Sequence, residues 1–230
     1  MPGRLEPIVT GNFYHIFNKS IDHKRIFSNR GHNIEFLQLL KYYRTPNNYL
    51  RFSLYKRLSY LKRLEYDSWI LKNSKKSIDI LAYCLMPTHF HLLIRQVTDT
   101  GISHFLSQIQ NAFTRYFNIK YQRKGPLFIH TYSAVTIAGD DQLKHILRYI
   151  HLNPYSSNIV NLKSDILTYP WSSCTTYLAD KSTDGILNTQ VGMSMFNYKK
   201  ERFITFMLDH ADYQKQLEYC KHAYRWEQRG

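Results

Sequence analysis

Cysteine is scarce in this chain. Cys84, Cys174 and Cys220 lie far apart and form no CxxC pair, which argues against a disulfide framework or a cysteine zinc site and fits a reducing cytoplasm. Long apolar runs are missing too. No segment approaches the roughly 18 uninterrupted apolar residues of a membrane span, and the opening Met1-Pro2-Gly3-Arg4-Leu5-Glu6 lacks the apolar core of a secretory signal. The expectation is a cytoplasmic protein without a membrane partner. Acidic residues are few, 17 Asp and Glu against 31 Lys and Arg, a formal net charge of +14. An excess of that size points to a polyanionic partner. With a membrane surface set aside, that partner is nucleic acid.

What is present can build a core. The 230 residues are 43% hydrophobic, which suits one domain with appendages. Asn12–Ile21 reads as a strand and 33–43 as a helix broken by Thr45-Pro46-Asn47-Asn48. The leucines at 50, 54, 58 and 61 predict a helix over Tyr49–Trp69. Ser77–Met86 and His89–Val97 read as strands of a two-residue hairpin around Pro87-Thr88. A helix is expected over 102–121, a strand over 133–138, and a helix opened by Asp140 or Asp141 that stops at Pro154. That order predicts an α+β fold, a ferredoxin-like or RRM-like antiparallel sheet with helices packed on it. Beyond Pro170-Trp171, Gly185–Ser194 is loop-like and Tyr198–Arg229 a C-terminal helix. The expected division is a domain over 1–180, with an enlarged basic helical insertion at about 45–75, and an extension over 181–230.

Two local patterns could carry chemistry. In His89-Phe90-His91 the imidazoles share one face of a strand while Phe90 enters the other layer, which is how a rigid strand offers two nitrogen ligands to one metal. In Tyr149-Ile150-His151-Leu152-Asn153-Pro154, Tyr149 and Asn153 stand four apart, on one helix face. Alone, each has an ordinary explanation: two hydrogen-bonded histidines on a sheet, and a packed tyrosine near a helix end.

Together they resemble the REP-associated tyrosine transposases of the single-tyrosine HUH (His-hydrophobic-His) superfamily. The resemblance runs over roughly Tyr14–Tyr177. It includes Tyr14-His15-Ile16 with Asn18, Leu85-Met86-Pro87-Thr88-His89-Phe90-His91-Leu92-Leu93, Thr114-Arg115-Tyr116-Phe117-Asn118, Gly125-Pro126-Leu127-Phe128, the Tyr149–Pro154 run and Trp171-Ser172-Ser173. It implies that His89, His91 and Asn153 hold a divalent metal, Mg²⁺ or Mn²⁺, and that Tyr149 is the nucleophile. It further implies cleavage and rejoining of single-stranded or hairpin DNA through a 5′-phosphotyrosine. The superfamily contains dimers with shared sites, so a homodimer is compatible with it. Two departures bear on DNA contacts: Thr131 stands where a basic residue is usual, and Lys19-Ser20 where Arg-Gly is usual.

The expected DNA track is basic and aromatic. Lys41–Arg63 carries seven basic residues, no acidic one, and six interleaved aromatics. Cations neutralise phosphates and rings stack on exposed bases. The candidate contacts are Lys19, Arg51, Lys56, Arg57, Lys62 and Arg63, with Arg115, Arg123 and Lys124 after the HxH strand. A non-catalytic RRM-like nucleic-acid binder is the alternative; a zinc hydrolase is a distant third, lacking an evident carboxylate base.

Overall fold

The aromatic and β-branched run near the N-terminus forms β1 (Phe13–Lys19). The computed structural model describes residues 7–46, 48–179 and 185–218. Helix α1 (Arg30–Tyr43) opens at Asn29, whose side chain accepts from the Gly31 and His32 amides, satisfying two otherwise orphaned donors.

The single helix expected over Tyr49–Trp69 is instead two. A short α2 (Phe52–Tyr55) ends, and α3 (Tyr60–Asn73) restarts at Ser59, whose hydroxyl accepts from the Lys62 amide. The break turns Leu54 and Leu61 to solvent. Phe52, Tyr66 and Ile70 are the buried anchors of this segment, and the Tyr42 and Tyr66 hydroxyls share a 2.9 Å hydrogen bond that ties it to α1.

β2 (Ile78–Met86), β3 (His89–Gln96) and β4 (Ser133–Ile137) join β1 in a four-stranded antiparallel sheet, ordered β2-β3-β1-β4. This is the ferredoxin-like arrangement, and the fold is α+β as expected. Pro87-Thr88 makes the tight corner. Strand alternation sends Phe90 to the face under α1 and α4 (Gly101–Lys120), where it meets Phe36 and, through Phe128, Phe113. These rings pack edge-on or tilted, as aromatic quadrupoles prefer. The opposite face, carrying His15, Phe17, His89 and His91, lies beneath α5 (Asp140–Ser156).

Two expectations about α5 need correction. Gly139 occupies the N-cap position, with Asp140 and Asp141 already in the first turn, where their charge meets the positive end of the helix dipole. Nor does Pro154 end the helix. It continues to Ser156, because Tyr155 and Ser156 are buried in the last turn and the Pro154 carbonyl accepts from the Ile159 and Val160 amides.

The remaining segments fold back on this frame. Helix α6 (Cys174–Leu178) places Tyr177 in the core. The region expected to be loop contains α7 (Thr189–Ser194), and Leu187 bridges to Ile80 of β2. The long C-terminal helix is interrupted. α8 (Lys200–Leu208) stops at Asp209, His210 takes a positive φ of 58°, and a second helical segment covers 211–218; residues 219–229 of the expected helix lie outside the described residues. Phe203 of α8 is fully buried and stacks on Tyr177, with centroids 4.9 Å apart. Among the described residues no helix is long and apolar enough to cross a membrane.

Candidate active site

The HxH histidines lie as the strand period requires, on the face of β3 that looks at α5. Their ring centroids are 5.1 Å apart, and the His91 ring meets the Tyr149 ring edge-on at 5.7 Å. Each imidazole has its Nδ1 engaged. That of His89 lies 3.0 Å from Thr88 Oγ1, and that of His91 lies 2.9 Å from Nε2 of His15. Nε2 is therefore the nitrogen through which either would ligate. Asn153, one turn beyond Tyr149, is buried and gives its amide nitrogen to the Tyr149 carbonyl at 2.8 Å. Its carboxamide oxygen remains as the donor atom for a cation.

The electrostatics keep these groups neutral. Burial lowers the His89 pKa to about 4, with the Lys19 charge adding to the effect and Glu218 opposing it. His91 is held well below its ordinary value by burial, then by His89, His15 and Lys19. Neutral imidazoles with open lone pairs are what a divalent metal needs near pH 7. No three His, Cys, Asp or Glu side chains among the described residues form a metal-holding group. Two imidazoles and one carboxamide are the side chains here that could hold a cation, and a mixed nitrogen and oxygen set of that kind is compatible with Mn²⁺ or Mg²⁺. Burial, reinforced by the Glu218 carboxylate, pushes the Tyr149 phenol up to about 12, against the hydrogen bond from Asn153.

Two residues at this site have no role assigned by the sequence. His15 lies in the quoted β1 run, at a position whose alternation points it at α5, and that alternation was the available signal. Glu218 left no signal. It lies in a mixed-charge tail and reaches the site because segment 211–218 docks along α5, with Gln214 bonding the Tyr149 carbonyl and Tyr155 bonding Asp212.

The basic candidates divide into groups. Lys19 sits opposite His89 in the β1–β3 register, at the site itself. Arg51, Lys56 and Arg115, distant in sequence, line one cavity of about 480 Å³ between α1, α2 and α4, on the other side of the sheet. Arg57 and Lys62 are exposed, and Arg63 is half-buried against the neighbouring cavity that Lys41 and Arg44 share. Lys56 is paired with Glu35 at 2.6 Å. Arg123 braces its own loop, through Asn118 Oδ1 and the carbonyls of Gly125 and Pro126, next to exposed Lys124.

Residues 63–153, which hold both HxH histidines, Tyr149 and Asn153, match the family described as "Transposase IS200 like". The resemblance read from the motifs is borne out. The fold is shared with the structure of a REP-associated tyrosine transposase bound to a REP hairpin, at a TM-score of 0.54 and 13% identity, over 83% of this chain and 93% of that one. Among curated proteins nothing matches. The fold likeness takes in 83% of this chain, so it extends beyond the 63–153 segment that matches the family.

Proposed function

We propose that this chain is a metal-dependent DNA endonuclease and strand transferase that works through Tyr149 on single-stranded or hairpin DNA. One observation carries the reading: the Tyr149 ring stands edge-on to His91, one helical turn from a buried Asn153 whose side-chain nitrogen bonds the Tyr149 carbonyl. His89, His91 and Asn153 would hold the metal, which when bound polarises the scissile phosphate and stabilises charge developing there. Tyr149 Oη attacks phosphorus, the bond from phosphorus to the 3′ oxygen breaks, and that oxygen leaves, taking a proton from solvent to become a 3′-OH. The 5′-phosphotyrosine, a polarity implied by the family resemblance, conserves the bond energy, so a returning hydroxyl can reverse the step without ATP. Glu218, hydrogen-bonded to the phenol, is placed to take its proton, and Lys19 at the rim is placed to meet a phosphate.

The DNA partner is supported by the charge of +14 and by the basic cavity between α1, α2 and α4. That cavity lies across the sheet from Tyr149. A bound hairpin would thus rest its stem on the helical layer and pass its single strand round the sheet to the nucleophile. An RRM-like binder would keep stacking aromatics on an open sheet face; here α5 covers that face, and it carries imidazoles. The deciding experiment is incubation with Mn²⁺ and an end-labelled hairpin oligonucleotide, read as an SDS-resistant protein–DNA adduct. Absence of the adduct over a range of hairpins, with DNA binding intact, would leave the non-catalytic reading standing.

A further inference from the structure

His15 is neither nucleophile nor member of the proposed ligand set, yet it is the side chain hydrogen-bonded to His91. β1 and β3 are neighbours, with Phe17 opposite His91 and His15 opposite Leu93, so the two histidines are diagonal partners on one sheet face. His15 Nε2 lies 2.9 Å from His91 Nδ1, and the rings stack at 22° with centroids 5.1 Å apart. The ring of His15 also meets Tyr149 edge-on at 5.6 Å. It is buried.

The chemistry of this contact has two forms. A neutral imidazole has one N–H and one bare nitrogen, and only the bare nitrogen ligates a metal. If the shared hydrogen belongs to His91 Nδ1, then His91 Nε2 is bare and faces outward from the pair. If it belongs to His15 Nε2, then His91 carries its own hydrogen on Nε2 and cannot ligate through it. The Thr88 hydroxyl beside His89 can donate or accept, so it imposes no tautomer. His15 Nε2 accepts only when His15 carries its hydrogen on Nδ1, so the tautomer of His15 decides that of His91.

We infer that His15 is a positioning residue for the metal centre: its Nε2 accepts the Nδ1–H of His91 and fixes His91 in the tautomer whose Nε2 is free to bind a cation. The inference rests on the metal-centre reading above. Partners of this kind, which orient a ligating histidine through its second nitrogen, typically change metal affinity by about 10- to 100-fold when removed.

The test uses the full chain and two readouts besides cleavage. Long-range ¹H–¹⁵N spectra of the metal-free protein report the tautomers, and Mn²⁺ titration by calorimetry reports affinity. Expected are Nδ1–H tautomers for both His91 and His15. His15→Phe, which keeps a ring but offers no acceptor, should weaken Mn²⁺ binding roughly 10- to 100-fold and mix the His91 tautomers. His15→Gln, whose carbonyl oxygen can accept, should recover most of the affinity. A wild-type His91 protonated on Nε2 would overturn the inference, as would His15→Phe binding Mn²⁺ as tightly as the parent. A pulsed-EPR count of three imidazoles on Mn²⁺ would make His15 a ligand and overturn the positioning role. Wild-type protein that holds no Mn²⁺, or holds it unchanged in His89→Ala, would sink the metal-centre reading and the inference with it. These results are distinguishable because they appear without any change at His15.

Discussion

The Tyr149 ring and the His91 imidazole meet at right angles, with centroids 5.7 Å apart and planes at 88°. The arrangement joins α5 to β3, and under the proposed function it is where a scissile phosphate would lie. It also places the phenol in a partly buried setting that holds its pKa near 12, so the hydroxyl stays protonated through the neutral range until it is activated.

Tyr149→Phe should therefore abolish the covalent DNA adduct while leaving DNA affinity and Mn²⁺ affinity within about twofold, because only the attacking oxygen is lost. His89→Ala and His91→Ala should also stop cleavage, but through loss of metal binding that raised Mn²⁺ partly restores. Asn153→Ala should be milder, since water can replace a neutral ligand. Adduct formation by Tyr149→Phe would transfer the nucleophile assignment to another tyrosine, with Tyr116, Tyr132 and Tyr155 next to be replaced.

Much of this site was legible because it is built from short-range periodicities. The two-residue period of β3 puts His89 and His91 on one face, and the helical period of α5 stacks Tyr149 over Asn153. The hairpin at Pro87-Thr88 and the order of the elements followed from the same rules. What was not legible depended on tertiary contact. Pro154 reads locally as a stop, yet burial of Tyr155 and Ser156 carries the helix past it. Ser59 divides the Tyr49–Trp69 stretch that leucine spacing suggests is one helix. Glu218 enters the site only because segment 211–218 docks on α5, through Gln214 and Asp212, and no local pattern encodes that.

Acid should unfold the protein earlier than its charge alone would suggest. Burial lowers His15 to about 4 and His151 to about 3, against about 6.5 in the unfolded chain. Below pH 6.5 the unfolded state binds more protons than the folded state, so stability falls with falling pH. The contribution is fully present above 6.5 and is lost as pH drops towards the folded values. At pH 5 each of these histidines removes about 2 kcal/mol. Urea midpoints measured from pH 7.5 to 5 should decline accordingly, and His15→Phe should flatten part of the slope. A midpoint independent of pH over that range would show that neither histidine is buried in its neutral form.

Gly101, the first residue of α4, has no room for a side chain. A Cβ there would run into the Ser77 carbonyl oxygen and come within 3.2 Å of Thr98 Oγ1. That carbonyl already accepts from the Val97 and Thr98 amides, so it is fixed where β3 hands over to α4. Gly101→Ala should cost about 1–3 kcal/mol through overpacking, seen as a lower urea midpoint. Gly139→Ala is the comparison: nothing lies within 4 Å of its Cβ position, so it overpacks nothing, and exchanging Gly for Ala at the N-cap of α5 should cost at most about 1 kcal/mol. Equal midpoints for the two variants would mean that α4 can shift to admit the methyl group.

The basic residues should separate into those that hold DNA and those that hold the protein. Arg51 and Arg115 face one cavity from different elements, and Arg57 and Lys62 are exposed. Replacing these four with Gln should weaken hairpin binding and reduce the slope of log affinity against log salt by roughly 0.7–0.9 for each phosphate that is no longer neutralised. Lys56 and Arg123 should behave differently. The Lys56 ammonium is 2.6 Å from the nearly buried Glu35 carboxylate, so Lys56→Gln leaves that charge without its partner and should lower the urea midpoint. Arg123 braces the loop at Gly125 and Pro126 through Asn118, so Arg123→Gln should loosen that loop and likewise change stability more than salt slope. Fluorescence anisotropy at several salt concentrations, paired with urea melts of the same proteins, separates the two classes. If the fourfold variant keeps the parental slope and Lys56→Gln, which alters the same cavity, keeps it too, the DNA track does not run over the cavity between α1, α2 and α4, and the stem must dock nearer to Lys19.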